Sequence, residues 1–171
     1  MDEPENADKI PPPAGNMRVP ENLRDLIASQ PFFKGLTSRQ IDLLAESAME
    51  REFAAGESII EEGDPANRFY FILEGRVLLE LEVPEQERVP VQTLGPGDDL
   101  GWSWLFPPYS LQFSARAVQP TRVIFFYGTR LRVQCEEDPK FGYELMKRAA
   151  GAMQGCLTSI RQEFLKRLDT R

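Results

Sequence analysis

The chain's most restrictive feature is a change of rhythm at Met49. From there to Tyr127, short apolar runs alternate with Gly, Pro and Asp punctuation. Phe53, Ala55-Gly56, Ser58-Ile59-Ile60 and Gly63-Asp64-Pro65 lead to Phe69-Tyr70-Phe71-Ile72-Leu73 and Gly75. The stretches 77–83 and 89–94, the turn Gly95-Pro96-Gly97-Asp98, and then Val118 and 123–127 continue the pattern. Runs this short, recurring about every 8–12 residues, predict an antiparallel sandwich or jelly-roll barrel. No long helical stretch separates them, which excludes a doubly wound α/β sheet.

Both flanks read as helical. Around 21–28, Pro20 precedes Leu23, Leu26 and Ile27 on one face of a short helix. A second helix starts where Thr37 and Gln40 form a capping-box pair, with Leu36 and Ile41 placed as the hydrophobic staple. Ile41, Leu44, Ala45 and Ala48 continue it at helical spacing. Past Pro139 the helical period persists to the end, with Met146, Ala150, Met153, Leu157, Ile160, Phe164 and Leu168 separated by threes and fours. This heptad-like seam runs over about 25 residues, longer than a small barrel needs for cover, and predicts a homodimer through this helix. Gly151 and Gly155, four apart, leave room for a second helix to approach. The alternative is one long helix lying on its own barrel. The expected division is a disordered Pro-rich tail over 1–19, N-terminal helices and barrel over 20–138, and the dimer helix over 139–171. The fold class is α+β: an antiparallel β jelly-roll barrel with short N-terminal helices and a long C-terminal helix.

Composition narrows function more than fold. Histidine is absent from all 171 residues, which excludes Ser-His-Asp and Cys-His nucleophile pairs, imidazole-ligated zinc and histidine-ligated haem. Cys135 and Cys156 are too few for a four-thiolate cluster. No enzymatic activity, catalytic residue, metal site or resident cofactor is expected. The net charge of −7 argues against a protein that coats nucleic acid. That charge is uneven: residues 140–171 hold seven bases and three acids, net +4, which leaves −11 on the rest. The start carries Asp2, Glu3, Glu5 and Pro11-Pro12-Pro13, which is no secretory signal, and no apolar run reaches the length of a membrane span. Cytoplasmic residence with free thiols is the expectation. Glu57, Glu61, Glu62 and Asp64 lack calcium-loop spacing and read as a solvated corner, while Glu80, Glu82, Glu85 and Glu87 read as a solvent-facing strand edge.

Phe53, Gly56, Ile59-Ile60, Glu62-Gly63-Asp64, the run 69–77 and the run 94–101 form a connected skeleton. It resembles the cyclic-nucleotide-binding domain family, which includes catabolite-activator-type bacterial regulators and regulatory subunits of cyclic-AMP-dependent kinases. The likeness covers about 33–168. Gly63, Gly75 and Gly97 would stand at tight corners that penalise a side chain. The resemblance implies a phosphate-binding cassette after Gly101, whose short helix offers free N–H groups to an anion. It also implies a glutamate after that glycine for the ribose hydroxyl, and an arginine before the next strand for the cyclic phosphate.

The sequence departs at both places. Trp102 stands where the glutamate belongs. With Ser114-Ala115-Arg116-Ala117 aligned to the family's strand, Leu111 stands where the arginine belongs. Gly101, Trp102, Ser103, Trp104, Leu111 and Ser114 are the candidate ligand-binding residues. A charged hydrogen bond to a desolvated phosphate contributes on the order of 1.5–3 kcal/mol. Losing it together with the ribose contact lowers affinity about a hundredfold or more. Cyclic AMP binding in the family manner is therefore not expected. The pocket should take something flatter and more apolar, or be filled by Trp102, Trp104 and Phe106. The hydroxyls of Ser103 and Ser114 are expected in local hydrogen bonds rather than on phosphate. In the transcription-factor branch a winged helix-turn-helix follows the long helix; none is present in the sequence, so direct DNA binding is not expected. The expected function is a non-enzymatic regulatory or sensor module acting through a homodimer or a protein partner. The alternative is a structural or adaptor protein with a vestigial, self-filled pocket.

Overall fold

Strand pairing organises the molecule. The computed structural model describes residues 22–169; the expected tail over 1–19 lies outside them. The strands are β1 (Ala48–Phe53), β2 (Ser58–Ile60), β3 (Arg68–Glu74), β4 (Val77–Leu81), β5 (Val89–Leu94), β6 (Asp99–Leu100), β7 (Ser114–Ala117) and β8 (Thr121–Tyr127). They form two antiparallel sheets, ordered β1-β8-β3-β6 and β2-β7-β4-β5. That is the jelly-roll order, in which the chain crosses between the sheets at every step except the β4–β5 hairpin. The punctuated rhythm of the sequence is the one-dimensional trace of this alternation.

Register decides which aromatics face which layer. Tyr70 lies opposite Phe125 and Leu100, and Phe71 lies opposite Ile124 and Asp99. The period of two then places Tyr70, Ile72, Val123 and Phe125 on one face of the first sheet. Phe69, Phe71, Ile124 and Phe126 occupy the other. Both sets are buried, so this sheet is covered twice, by the second sheet and by helices. The helical cover begins with the 3₁₀ turn Pro31–Phe33, where Phe33 packs at 5.1 Å from Phe71 and 5.8 Å from Phe126.

The helices are α1 (Leu23–Ser29), α2 (Ser38–Glu46), α3 (Gly128–Glu137) and α4 (Pro139–Asp169). The capping box of α2 is formed: Gln40 N–H donates to Thr37 Oγ1 at 3.2 Å, and Thr37 N–H to Gln40 Oε1 at 2.9 Å. The ten-residue α3 is an addition to the expected elements, inserted between the last strand and the long helix. None of the described helices is long and apolar enough to cross a membrane.

Helix α4 is about 46 Å long at 1.5 Å per residue. It lies on its own domain through a stripe that the expected seam does not contain, namely Phe141, Leu145 and Ala149, followed by the partly buried Ala152 and Cys156. The seam residues sit about 100° further round the helix. Met146, Ala150, Met153, Leu157, Phe164 and Leu168 are exposed and Ile160 is half-buried. Arg148 pins the helix to the N-terminal layer. Its Nε donates to Phe32 O and its Nη2 to Lys34 O, each at 3.0 Å, while Nη1 reaches Glu144 O and Glu144 Oε2.

One expected surface acid is interior. Glu80 is 5% exposed and pairs with Arg116 at 3.1 Å. A bulge between Leu79 and Glu80 turns it beside β7 rather than outward. Two of the four carboxylates of the predicted solvated corner are ion-paired: Glu57 meets Arg51 at 3.0 Å, and Glu61 meets Arg88.

Gly75 shows why the β3–β4 corner tolerates no side chain. Its φ is +102°, and an added Cβ would lie 2.6 Å from Pro120 O. Both a left-handed conformation and a backbone clash oppose any substitution. Gly75→Ala should lower the stability measured by urea denaturation by about 2 kcal/mol or more. Gly95→Ala, with open space around its Cβ, should change it by less than about 0.5 kcal/mol.

Candidate ligand cavity and cassette

The site is built outward from a two-residue strand. Strand β6 pairs only with β3, at the edge of the first sheet. Beyond it Gly101 adopts φ +92°, and a Cβ there would lie 3.0 Å from Arg68 O. The chain turns tightly under β3 into a 3₁₀ turn, Trp102–Leu105. The indole of Trp102 then stacks on Phe69 with ring centres 4.4 Å apart, and Phe69 stacks on Phe126 at 4.9 Å. Trp102 Nε1–H donates to the Asp99 carboxylate.

Helix α3 holds the cassette from outside. A Cβ on Gly128 would lie 2.7 Å from Trp104 Cβ, so the first residue of α3 fits the tryptophan only as glycine. Trp104 O accepts from Arg132 Nη1 at 2.8 Å, and the Arg132 guanidinium lies 4.2 Å from the centre of the Tyr109 ring. The loop beyond is tied to the Gly63-Asp64 turn. Leu111 N–H donates to Asp64 O at 2.8 Å, Gly63 N–H to Leu111 O at 2.9 Å, and Ala66 N–H to Tyr109 O at 2.7 Å.

Between cassette, sandwich interior and α4 lies a cavity of about 840 Å³, within the size range of small-molecule sites. The sandwich contributes Ile60, Leu79, Leu94 and Leu100, and α4 contributes Arg148, Gly151, Met153 and Cys156. Of the candidate residues, Gly101, Trp102, Ser103 and Leu111 line it; Trp104 and Ser114 do not. Trp104 is fully buried behind the cassette. Ser114 Oγ accepts from Glu62 N–H at 2.9 Å and donates to the Glu61 carboxylate at 3.3 Å, so its hydroxyl ties β7 to a distant part of the chain instead of making the local bond expected for it. The aromatic rings do not fill the cavity. Trp102 and Phe106 are part of its wall, because the stack on Phe69 draws the first indole toward the helical layer.

The α4 wall was not among the candidates. The only trace of it in the sequence is the pair Gly151 and Gly155, which line the cavity. Added Cβ atoms there would meet nothing within 4 Å. Their missing side chains leave space facing the cassette of the same chain.

Charge on the wall is sparse and mostly negative. Asp98, Asp99 and Arg148 are the charged residues that line the cavity. Burial pushes the Asp99 carboxyl up to about 7, with the neighbouring Asp98 adding to the shift and the Trp102 indole opposing it. Burial also raises the Cys156 thiol. Arg148 spends its guanidinium on backbone carbonyls and Glu144.

The two-sheet jelly roll, its cassette and the long helix together border this open cavity. A profile of the cyclic nucleotide-binding domain family matches residues 50–138, just over half of the chain. The chain belongs to that family. It is 24% identical over 123 residues to the CRP-like cAMP-activated global transcriptional regulator of Mycobacterium tuberculosis, covering 72% of this chain and 55% of the regulator. It thus spans about half the length of that relative. A crystal structure of a Geobacter metallireducens protein named for cyclic nucleotide binding superposes with a TM-score of 0.69 and 34% identity, covering 82% of this chain and 99% of that one. The Thermus thermophilus catabolite activator protein shares the fold, with a TM-score of 0.63 and 22% identity over 80% of this chain and 63% of its own.

Asp99 supplies a test of this electrostatic description. Its folded pKa lies above the unfolded value, so its favourable contribution is full below about pH 4 and is lost as pH rises through about 7. With no histidine in the chain, few other groups titrate in that window. Between pH 5 and pH 8 the wild type should lose about 2 kcal/mol relative to Asp99→Asn, measured by chemical denaturation. The asparagine keeps an acceptor for Trp102. Equal pH profiles for the two proteins would count against a buried, proton-holding Asp99.

Proposed function

We propose that the chain is a non-enzymatic sensor module whose cavity, shared by cassette and α4, reads a small molecule and passes its occupancy to a homodimer. The observation that carries this reading is the composition of the cavity wall. Residues 101–103 form one side and 151–156 another, so any occupant touches the cassette and the helix at once. A ligand shifts an equilibrium only through unequal affinity for its two states. Contact with two different elements is how such inequality arises.

The homodimer rests on the outward stripe of α4. Leu157 is 68% exposed and Phe164 is 60% exposed, along a helix that is otherwise well covered at its start. Pairing two such stripes removes apolar surface that a lone copy leaves in water. A different protein carrying an apolar helix is the other partner this face fits. Cytoplasmic residence agrees with the free thiols of Cys135 and Cys156, and direct reading of DNA forms no part of the proposal.

Cyclic AMP binding in the family manner is weak under this reading, because Leu111 and Trp102 supply neither the phosphate cation nor the ribose acceptor. A second reading, an adaptor with a vestigial cavity, is favoured by that same double replacement. The open cavity weighs against it.

Two measurements test the proposal. Calorimetric titration with cyclic AMP, cyclic GMP and cyclic di-GMP should give weak or no binding to wild type, while Leu111→Arg should raise cyclic AMP affinity by about tenfold or more. Tight binding by wild type would refute the altered-pocket part. In sedimentation, wild type should run as a dimer and Leu157→Glu/Phe164→Glu as a folded monomer; an unchanged mass would exclude this stripe as the interface.

A further inference from the structure

Every charged group on the cavity wall has a bearing on what can enter. The apolar share comes from Leu79, Leu94, Leu100, Leu111, Phe113 and Met153, with the edge of Trp102 beside them. Among the described residues, Arg148 is the one cation that lines the cavity. Its Nε, Nη1 and Nη2 already donate to Phe32 O, Lys34 O, Glu144 O and the Glu144 carboxylate. Turning it toward a ligand would strip carbonyls that anchor α4 to the N-terminal layer. The carboxylates of Asp98 and Asp99 stand on the same wall. Asp98 Oδ2 accepts from Gly95 N–H at 2.8 Å, and Asp99 Oδ2 accepts from the Trp102 indole.

From these placements we infer that the cavity takes an uncharged, ring-bearing apolar molecule that offers a hydrogen-bond donor to Asp99, and rejects anions. The inference rests on the sensor reading and names the ligand class of that same site. Three interactions select this class. The leucines and Phe113 reward apolar area removed from water. The exposed ring of Phe106 offers a flat surface for an aromatic ligand, with the edge of Trp102 beside it. The half-buried Asp99 carboxylate, which stands on the cavity wall, accepts a donor. An anion finds the opposite: no cation free to pair with it and two carboxylates nearby, so its charge is buried without compensation.

A matched pair of fluorescent probes separates the two classes. N-phenyl-1-naphthylamine is uncharged, carries two ring systems and has one N–H donor. Its relative 8-anilino-1-naphthalenesulfonate keeps that skeleton and adds a sulfonate. Titrated against the full chain, with Trp-sensitised emission as readout, the amine should bind at least about tenfold more tightly than the sulfonate. Leu111→Arg should narrow or reverse that preference by placing a cation on the wall. Gly151→Phe, which puts a ring into open space on the wall, should weaken the amine about tenfold or more while leaving the outward stripe of α4 intact. Circular dichroism checks that both variants are folded. If the Gly151→Phe variant misfolds, the Leu111→Arg preference decides alone.

Equal or tighter binding of the sulfonate by wild type overturns the inference. So does an amine signal that survives in folded Gly151→Phe, since the probe then sits elsewhere. Tight binding of cyclic AMP with no binding of the amine overturns it too, yet leaves a ligand-reading module in place. Failure of the amine, the sulfonate and cyclic nucleotides together defeats both the inference and the sensor reading.

Discussion

The stack of Trp102 on Phe69 on Phe126 is the interaction on which the rest of the site depends. It joins the cassette to the central strands β3 and β8 by ring faces rather than by loop hydrogen bonds alone. Stacked aromatic pairs contribute about 0.5–1.5 kcal/mol beyond their area burial, and these rings also bury much of their surface. The same ladder continues to Phe33 of the N-terminal layer, while Trp104 is locked against Gly128 at the start of α3. The cassette is therefore bolted to three elements. Its backbone must pass close under Arg68 to reach them, which is what Gly101 permits.

Under the proposed reading of an altered pocket, this anchoring makes the two departures from the family pattern one coherent change. A phosphate clamp needs a cation, and a ribose contact needs an anion. Retaining either alone would leave a buried charge without its ligand's complement, a configuration that costs several kcal/mol. Replacing both, with Leu111 on the wall and Trp102 in the aromatic stack, removes the problem at its source. The indole N–H is met by Asp99, whose own burial holds its carboxyl near neutrality. The polar chemistry has moved from the ligand to the protein's own edge strand.

The jelly roll was legible because its signals are local. Gly63, Gly75 and Gly97 all adopt positive φ, and the Thr37 and Gln40 box caps α2 by bonds within four residues. Helix α3 was not legible: its ten residues present Leu131 as the one large buried apolar side chain, too few for a readable period. The site was half legible. Gly101, Trp102, Ser103 and Leu111 followed from the resemblance to the family's cassette, whereas Ser114 and Trp104 turn away from the cavity for reasons set by distant partners, Glu62 and Gly128. The α4 wall was invisible because residues some fifty positions apart meet only after the chain has closed. Glu80 misled for a related reason: acid alternation looks the same whether a strand faces water or tucks its carboxylate against a half-exposed arginine such as Arg116.

Helix α4 carries two apolar stripes about 100° apart, and that geometry makes it a natural transmitter under the proposed coupling. Phe141, Leu145 and Ala149 hold its first turns in the core. Beyond them the inward face thins to Gly151, Ala152 and Gly155, whose small size lets the helix rest over the cavity without filling it. Met153 belongs to both descriptions, lining the cavity and standing in the outward seam. A rotation of about 20° displaces a side chain near the helix surface by about 2 Å, given a helix radius with side chains of about 5 Å. An occupant pressing on this wall thus changes which part of the seam faces a second copy. Under the proposed coupling, the stacked cassette is the better-held wall and the small-residue span of α4 the more thinly packed one, which assigns the motion to α4.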